Sequence, residues 1–197
     1  MDYKIAFGVA AVVISFLGYI PYFRDILNKK TKPHVFSWFI WSLAGGIGFF
    51  AQIISGAGSG AWILGLGFTI SAIITILAFR QGEKTITLSD WVAFSGALIG
   101  LILWRLTDNP LLAIVFIIIT DGLAFVPTFR KAYYKPYEET FISWFFSSFK
   151  FLLALVATQS YSLTTVLYPL YLLLSNGAFA LMLLIRRKIL DKKKEQL

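Results

Sequence analysis

Seven long apolar segments, separated by short polar stretches, run along the chain. They cover roughly 3–23, 34–54, 60–79, 88–105, 110–129, 140–158 and 164–185. Because an α-helix rises about 1.5 Å per residue, segments of this length can cross about 30 Å of hydrocarbon. The pattern predicts an all-α membrane protein with seven transmembrane helices.

The second half of the chain repeats the first. The matched residues, each followed by its copy 106 positions later, are Pro21 and Pro127, Phe23 and Phe129, Arg24 and Arg130, Ser37 and Ser143, Trp38 and Trp144, Phe39 and Phe145, and Ser42 and Ser148. Apolar matches carry little information in such a chain, but a shared Pro-x-Phe-Arg and a shared Ser-Trp-Phe-x-x-Ser in one register are specific. Duplication of this kind is the usual build of a membrane transporter.

Composition supports the membrane assignment. Apolar residues make up 58% of the chain and charged residues only 14%, and the mean hydropathy is +0.75. A soluble domain carries about 25% charged residues. The net charge of +8 would suggest nucleic acid in a soluble protein, but here the basic residues lie in short loops, so no nucleic-acid partner is predicted. The chain has no cysteine, which excludes disulfides and thiolate metal sites.

The basic residues gather in alternate loops and in the C-terminal stretch. They are Arg24, Lys29, Lys30, Lys32, Arg80, Lys84, Arg130, Lys131, Lys135, Arg186, Arg187, Lys188, Lys192, Lys193 and Lys194. With seven helices all of these lie on one side of the bilayer, and only Lys4 and Arg105 lie at the other. The positive-inside rule then predicts a plasma-membrane protein with its N-terminus outside and its C-terminus in the cytoplasm.

The loop charges also fix the relation between the two copies. A unit of three helices reverses direction, so one additional helix is needed to give both copies the same orientation. The predicted division is a first triple-helix bundle at 1–80, a linker helix with its flanking loops at 81–109, a second triple-helix bundle at 110–186 and a basic cytoplasmic tail at 187–197.

This order of three, one and three helices, with a proline near the cytoplasmic end of the first helix of each copy, resembles the SWEET and PQ-loop transporter superfamily. The likeness in sequence lies in Tyr19–Trp41 and Phe125–Ser147. The Pro-Gln pair of the family stands here as Pro21-Tyr22 and Pro127-Thr128. The resemblance implies two parallel three-helix bundles that rock about a midplane site and carry a sugar or an amino acid, in some members together with protons.

Asp121, Lys150 and Asn176 lie deep within the fifth, sixth and seventh predicted helices. Each is nine to eleven residues from a charged residue at the cytoplasmic end of its helix, which corresponds to about 13–17 Å of depth. A charge there costs at least about 2.5–3.5 kcal/mol, so such groups face the interior, pair, or line a water-filled cavity. We expect all three to bind substrate, with Asp121 as a candidate for proton coupling. The alternative is a structural ion pair between Asp121 and Lys150.

Aromatic and glycine residues of the second helix are further candidates. Phe49 and Phe50 lie near the position where SWEET members place a stacking tryptophan, so they are predicted to contact substrate. Gly45, Gly46 and Gly48 permit either close helix packing or space for a cavity.

Two pairs of equivalent residues are candidates for a hinge or gate. Pro21 and Pro127 each remove a backbone hydrogen bond and kink their helices. Trp38 and Trp144 lie about one turn inside the cytoplasmic ends of their helices, where they form either a gate or an interfacial aromatic belt.

The chain shows no nucleophile–base set, phosphate-binding loop or metal-ligand cluster, so we predict a non-enzyme without cofactor or metal. His34, the only histidine, is expected at a solvated interface rather than in a proton relay. The predicted partners are the lipid bilayer and a small polar solute, and the state is a monomer or homo-oligomer. A second hypothesis is a non-transporting receptor or scaffold whose basic tail is recognised by a partner.

Overall fold

The computed structural model describes residues 3–107 and 109–195, which contain seven α-helices and no strand. The helices are α1 (Tyr3–Leu27), α2 (Val35–Ile54), α3 (Trp62–Gln81), α4 (Leu88–Arg105), α5 (Pro110–Tyr134), α6 (Phe141–Ala157) and α7 (Leu163–Glu195). Short 3-10 helices precede α3 at Gly58–Ala61 and α6 at Pro136–Glu138. The predicted all-α class and the predicted number of helices are confirmed for this part of the chain.

Three helices run past the apolar segments that predicted them. α1 ends at Leu27, α5 at Tyr134 and α7 at Glu195, beyond the predicted ends at 23, 129 and 185. Each added stretch begins with an arginine (Arg24, Arg130 and Arg186), which ends a hydropathy signal but has high helix propensity. Hydropathy therefore located the apolar part of each helix rather than its last residue.

Four helical spans among the described residues are long and apolar enough to cross a membrane. They are Tyr3–Leu27, Val35–Ile54, Gly58–Gln81 and Leu163–Lys192, and shorter apolar helices lie at Leu88–Ile99 and Phe141–Ala157. Large apolar side chains such as Phe16, Ile76 and Phe79 are exposed on the outside of the helices. Extensive exposed apolar surface is typical of a protein that contacts lipid. These features are compatible with a multi-pass membrane protein.

Six of the helices form a closed ring. α3 packs between α1 and α2, and α7 packs between α5 and α6. The ring closes because α1 lies against α6 and α2 lies against α5. α4 lies outside it, against α5 and to a smaller extent α2. The interior of this six-helix ring is therefore bounded by both copies of the repeat.

Glycine permits close packing at several helix contacts. A methyl group added at Gly18 would lie 2.8 Å from Cβ of Phe146, and one added at Gly48 would lie 2.7 Å from the ring of Tyr168. At Gly45 the nearest atom would be 3.5 Å away, which is ordinary contact. Close packing thus explains Gly48, whereas Gly45 has room beside it.

Polar contacts hold together the end of the ring that carries the loops 28–34, 82–87 and 135–140, which we call the basic end. Its ion pairs are Lys32–Glu138 at 2.7 Å, Lys135–Glu83 at 2.9 Å, Arg130–Asp90 at 2.6 Å and a fully buried Lys131–Glu139 pair. Thr31 and Thr140 also share a hydroxyl hydrogen bond of 2.6 Å. The loop between α1 and α2 is therefore fastened to the loop between α5 and α6.

His34 belongs to this end but is not solvated, so the expectation of an interfacial histidine was wrong. Its side chain is fully buried, with Nε2 3.5 Å from Oδ2 of Asp90. Burial lowers the pKa of His34 more than the neighbouring Asp90 raises it. His34 is buried because of the position of α4, since Phe94 of that helix stacks on Phe36 and covers the start of α2.

Glu83 gives the basic end a defined response to acid. Burial alone would raise its pKa, but hydrogen bonds from Thr85 and the ion pair with Lys135 outweigh burial and hold the pKa at about 2, below the usual 4.5. We expect Glu83→Gln to lower the free energy of unfolding by about 1–2 kcal/mol at neutral pH.

A depressed folded-state pKa stabilises the protein above the unfolded-state value and ceases to do so as the pH falls through the folded-state value. The difference in thermal midpoint between wild type and Glu83→Gln should therefore shrink between pH 4.5 and about 2. A difference that stayed constant over this range would contradict the assignment.

Candidate functional site

A cavity of about 80 Å³ lies inside the six-helix ring. Its wall is built by α1, α2 and α3 of the first copy and by α5, α6 and α7 of the second. One water needs about 10–15 Å³, so the cavity has room for several waters or a small solute. No residue of α4 is on its wall among the described residues.

The structure brings Asp121, Lys150 and Asn176 to the wall of this one cavity. Asp121 and Lys150 are each only 2% exposed, and Asn176 is 6% exposed. The amide of Asn176 donates to the carbonyl of Leu172, 2.7 Å away on its own helix. The three polar groups were predicted at one depth, and each also lies on the side of its helix that faces the cavity.

Asp121 is held by two tyrosines of α7. The hydroxyl of Tyr171 donates to Oδ2 at 2.9 Å, and that of Tyr168 donates to Oδ1 at 3.2 Å. Trp41 of the first copy also approaches, because its Nε1 lies 3.4 Å from the backbone oxygen of Asp121. The sequence could have indicated that Tyr168 and Tyr171 act together, since residues three apart on a helix share a face.

Lys150 is held by residues of α1. Its Nζ lies 3.3 Å from Oγ of Ser15 and 3.2 Å from the hydroxyl of Tyr19. The same ammonium lies 4.6 Å from the ring centre of Tyr19 and 5.1 Å from that of Phe151, within the range of cation–π attraction. Its contacts therefore cross from the second copy to the first.

Asp121 and Lys150 do not form an ion pair with each other or with another charged side chain in the described part of the chain. The repeat explains this. Ser15 is the first-copy equivalent of Asp121, and it faces Lys150 because α1 packs on α6. α2, which packs on α5, carries Ala44 at the position equivalent to Lys150 and so supplies no base there for Asp121. The predicted alternative of a structural ion pair is therefore not what the structure contains.

An aromatic layer separates the cavity from the basic end. Its members are Tyr22, Trp38, Trp41, Phe125 and Trp144. The ring centres of Trp38 and Trp144 are 6.3 Å apart, and each residue is 5% exposed. Both rings are thus buried among protein side chains rather than in an interfacial belt. Trp144 is further fixed by its indole N–H, which donates to Oε2 of Glu139 at 3.0 Å.

Pro21 and Pro127 lie inside α1 and α5, which continue past them as helix. The residue after Pro21 is Tyr22 of the aromatic layer. The residue after Pro127 is Thr128, whose hydroxyl donates to Oγ of Ser37 at 2.8 Å. Both prolines therefore adjoin contacts that close the ring near the basic end.

Phe49 and Phe50 are the predicted substrate contacts that the structure does not place on the cavity wall. Phe50 is 63% exposed. Phe49 packs between the ring of Phe50 and Gly65. Position along a helix indicates depth, but it did not show that Phe50 is exposed or that Phe49 packs in the apolar core beside the cavity without lining it.

The cavity therefore combines an acid, a base and an amide with an aromatic floor, and it lies between the two copies of a repeat. Comparison of the chain with family models, with curated proteins and with solved structures finds no match. The resemblance to the SWEET and PQ-loop superfamily therefore remains a prediction from the residues that carry it.

Proposed function

We propose that this chain is a membrane transporter of a small polar solute, a sugar or an amino acid, that works by alternating access about the cavity. The observation that carries the proposal is the pair Asp121 and Lys150 on the wall of one cavity, two buried ionisable groups that have no charged partner among the described residues. Ionisable residues within membrane helices are costly and mark substrate or ion pathways.

The proposed architecture is a SWEET-like order of three, one and three helices. In it α1–α3 and α5–α7 are parallel bundles, and α4 is the linker. The internal repeat supports it, as do the contacts of α3 between α1 and α2 and of α7 between α5 and α6. With the basic end in the cytoplasm and the N-terminus outside, the chain follows the positive-inside rule in the plasma membrane.

In this orientation the aromatic layer and the basic-end ion pairs form the cytoplasmic gate. Solute release to the cytoplasm requires Trp38 and Trp144 to separate, together with the loops fastened by Lys32–Glu138 and Thr31–Thr140. The contacts Trp38–Trp144, Lys32–Glu138 and Thr31–Thr140 join one copy to the other, so a rocking motion of the two bundles would break these three together.

The equivalent prolines supply the proposed hinge. Restoring the missing backbone hydrogen bond in both helices should stiffen α1 and α5 beside the gate. We expect the double variant Pro21→Ala, Pro127→Ala to reduce the initial rate of solute uptake by about tenfold while leaving solute binding unchanged. Uptake at the wild-type rate would show that the prolines are not hinges.

The proposal as a whole is tested by flux. The purified chain is reconstituted into vesicles, and uptake of labelled sugars and amino acids is compared with uptake by protein-free vesicles. Solute accumulation that depends on the protein supports transport. Solutes that stabilise the protein against heat but are not taken up would favour the receptor hypothesis instead.

A further inference from the structure

The ammonium of Lys150 is buried without a counter-ion. The residue is 2% exposed, and among the described residues no carboxylate lies within ion-pair distance of Nζ. Its polar neighbours are two neutral hydroxyls, Ser15 and Tyr19. A buried charge is stable when it is paired, and neutral hydroxyls and aromatic faces compensate it only in part.

We propose that Lys150, Tyr19 and Ser15 form a subsite for the carboxylate of the transported solute. The proposal rests on the function proposed above and narrows its substrate class to small carboxylic acids and amino acids. A carboxylate supplies the missing negative charge, which a neutral sugar does not.

The hydroxyl groups beside Lys150 can bind an anion as well as the ammonium of Lys150. In their contacts with Lys150 both hydroxyls act as acceptors, since an ammonium only donates, and so each retains its own proton. Rotation about the C–O bond can direct the proton of Tyr19 to a carboxylate in the cavity. One ligand group could then receive hydrogen bonds from the ammonium of Lys150 and the hydroxyl of Tyr19, which both line the cavity, while buried Ser15 holds the ammonium in place.

The subsite is assembled from both copies of the repeat. Ser15 and Tyr19 lie on α1, four residues apart on one face, whereas Lys150 lies on α6. A carboxylate bound there would bridge the α1–α6 contact, which lies between the two proposed bundles. Ligand binding and the relative position of the bundles are coupled by this arrangement.

The experiment compares carboxylates with their amides on the full-length chain in detergent. Isothermal titration is carried out with a panel of small amino acids and monocarboxylates, with the corresponding amides, with glucose and with chloride. We expect at least one carboxylate to bind, and its amide to bind at least about tenfold more weakly, because hydrogen bonds to a charged group are strong.

Three variants locate the binding. Lys150→Met should weaken the bound carboxylate by at least about tenfold. Tyr19→Phe, which keeps the ring, should weaken it less and guards against a folding defect in the first variant. Lys30→Met, which removes an exposed lysine of the α1–α2 loop, should leave the affinity unchanged.

Several results would overturn the subsite. They are the absence of binding by any carboxylate, equal affinity for acid and amide, competition by chloride as strong as that of the carboxylates, and full affinity in Lys150→Met. The failure of the subsite can be distinguished from the failure of the transport proposal. Lys150-dependent binding without flux would contradict transport alone, whereas sugar flux without carboxylate binding would contradict the subsite alone.

Discussion

Replacing Lys131 with Met is expected to lower the free energy of unfolding by about 3–5 kcal/mol. Lys131 and Glu139 form an ion pair whose side chains are 2% and 1% exposed. Loss of the ammonium leaves the Glu139 carboxylate buried, with the indole of Trp144 as a remaining side-chain donor. Two backbone carbonyls, of Lys32 and Glu138, would lose the same donor.

The matched control is Lys32→Met at the same end of the protein. Lys32 pairs with Glu138 at 2.7 Å, but these side chains are 41% and 26% exposed. An ion pair in contact with solvent contributes about 0–1 kcal/mol, so this variant should be close to wild type. Thermal and denaturant unfolding in detergent measure both differences.

A second substitution separates the buried charge from the loss of packing. In the double variant Lys131→Met, Glu139→Gln the uncompensated carboxylate is gone, so part of the lost stability should return. Equal and small effects of Lys131→Met and Lys32→Met would contradict the role of the buried pair. So would a double variant no more stable than the single one.

The sequence predicted the helices well because apolar length is a local property. The starts of α4 at Leu88 and α5 at Pro110 agree with the apolar pattern. The end of α7 does not, since Glu195 lies beyond the last apolar residue that hydropathy can detect. A charged helical stretch has no apolar signature for hydropathy to detect.

The sequence predicted how deep the site residues lie along their helices, but not which residues they contact. Counting residues from the helix ends placed Asp121 and Lys150 at one level, and both lie on the cavity wall. The same counting could not show which helices become neighbours, so it suggested an ion pair where the structure has Lys150 against Ser15. Phe50 shows the other limit, because depth alone does not determine whether a side chain faces the cavity or lies 63% exposed.

Replacing Asp121 with Asn is expected to reduce transport by at least about tenfold while the protein remains folded. The change keeps the shape of the side chain and removes its ability to ionise. One of the two tyrosine hydroxyls can still donate to the amide oxygen, and the other can turn to accept from the amide nitrogen. The contacts around the residue therefore survive, whereas the ionisable carboxyl group does not.

The control is Asp191→Asn, the same substitution at an exposed acid that contacts Tyr137. Its uptake rate should equal that of the wild type, and the thermal midpoint of both variants should stay near the wild-type value. Initial uptake rates in vesicles, normalised to the amount of inserted protein, give the comparison. Wild-type transport by Asp121→Asn would remove Asp121 from the mechanism.

Binding and flux together identify what the carboxylate of Asp121 contributes. If the variant loses both, Asp121 holds part of the solute, such as an ammonium group. If it binds the solute normally but does not transport it, the carboxylate acts in the conformational cycle, and a proton is the simplest group for it to carry. Uptake by the wild type would then respond to an imposed pH gradient, and uptake by Asp121→Asn would not. These two outcomes separate a substrate contact from a coupling site at the same residue.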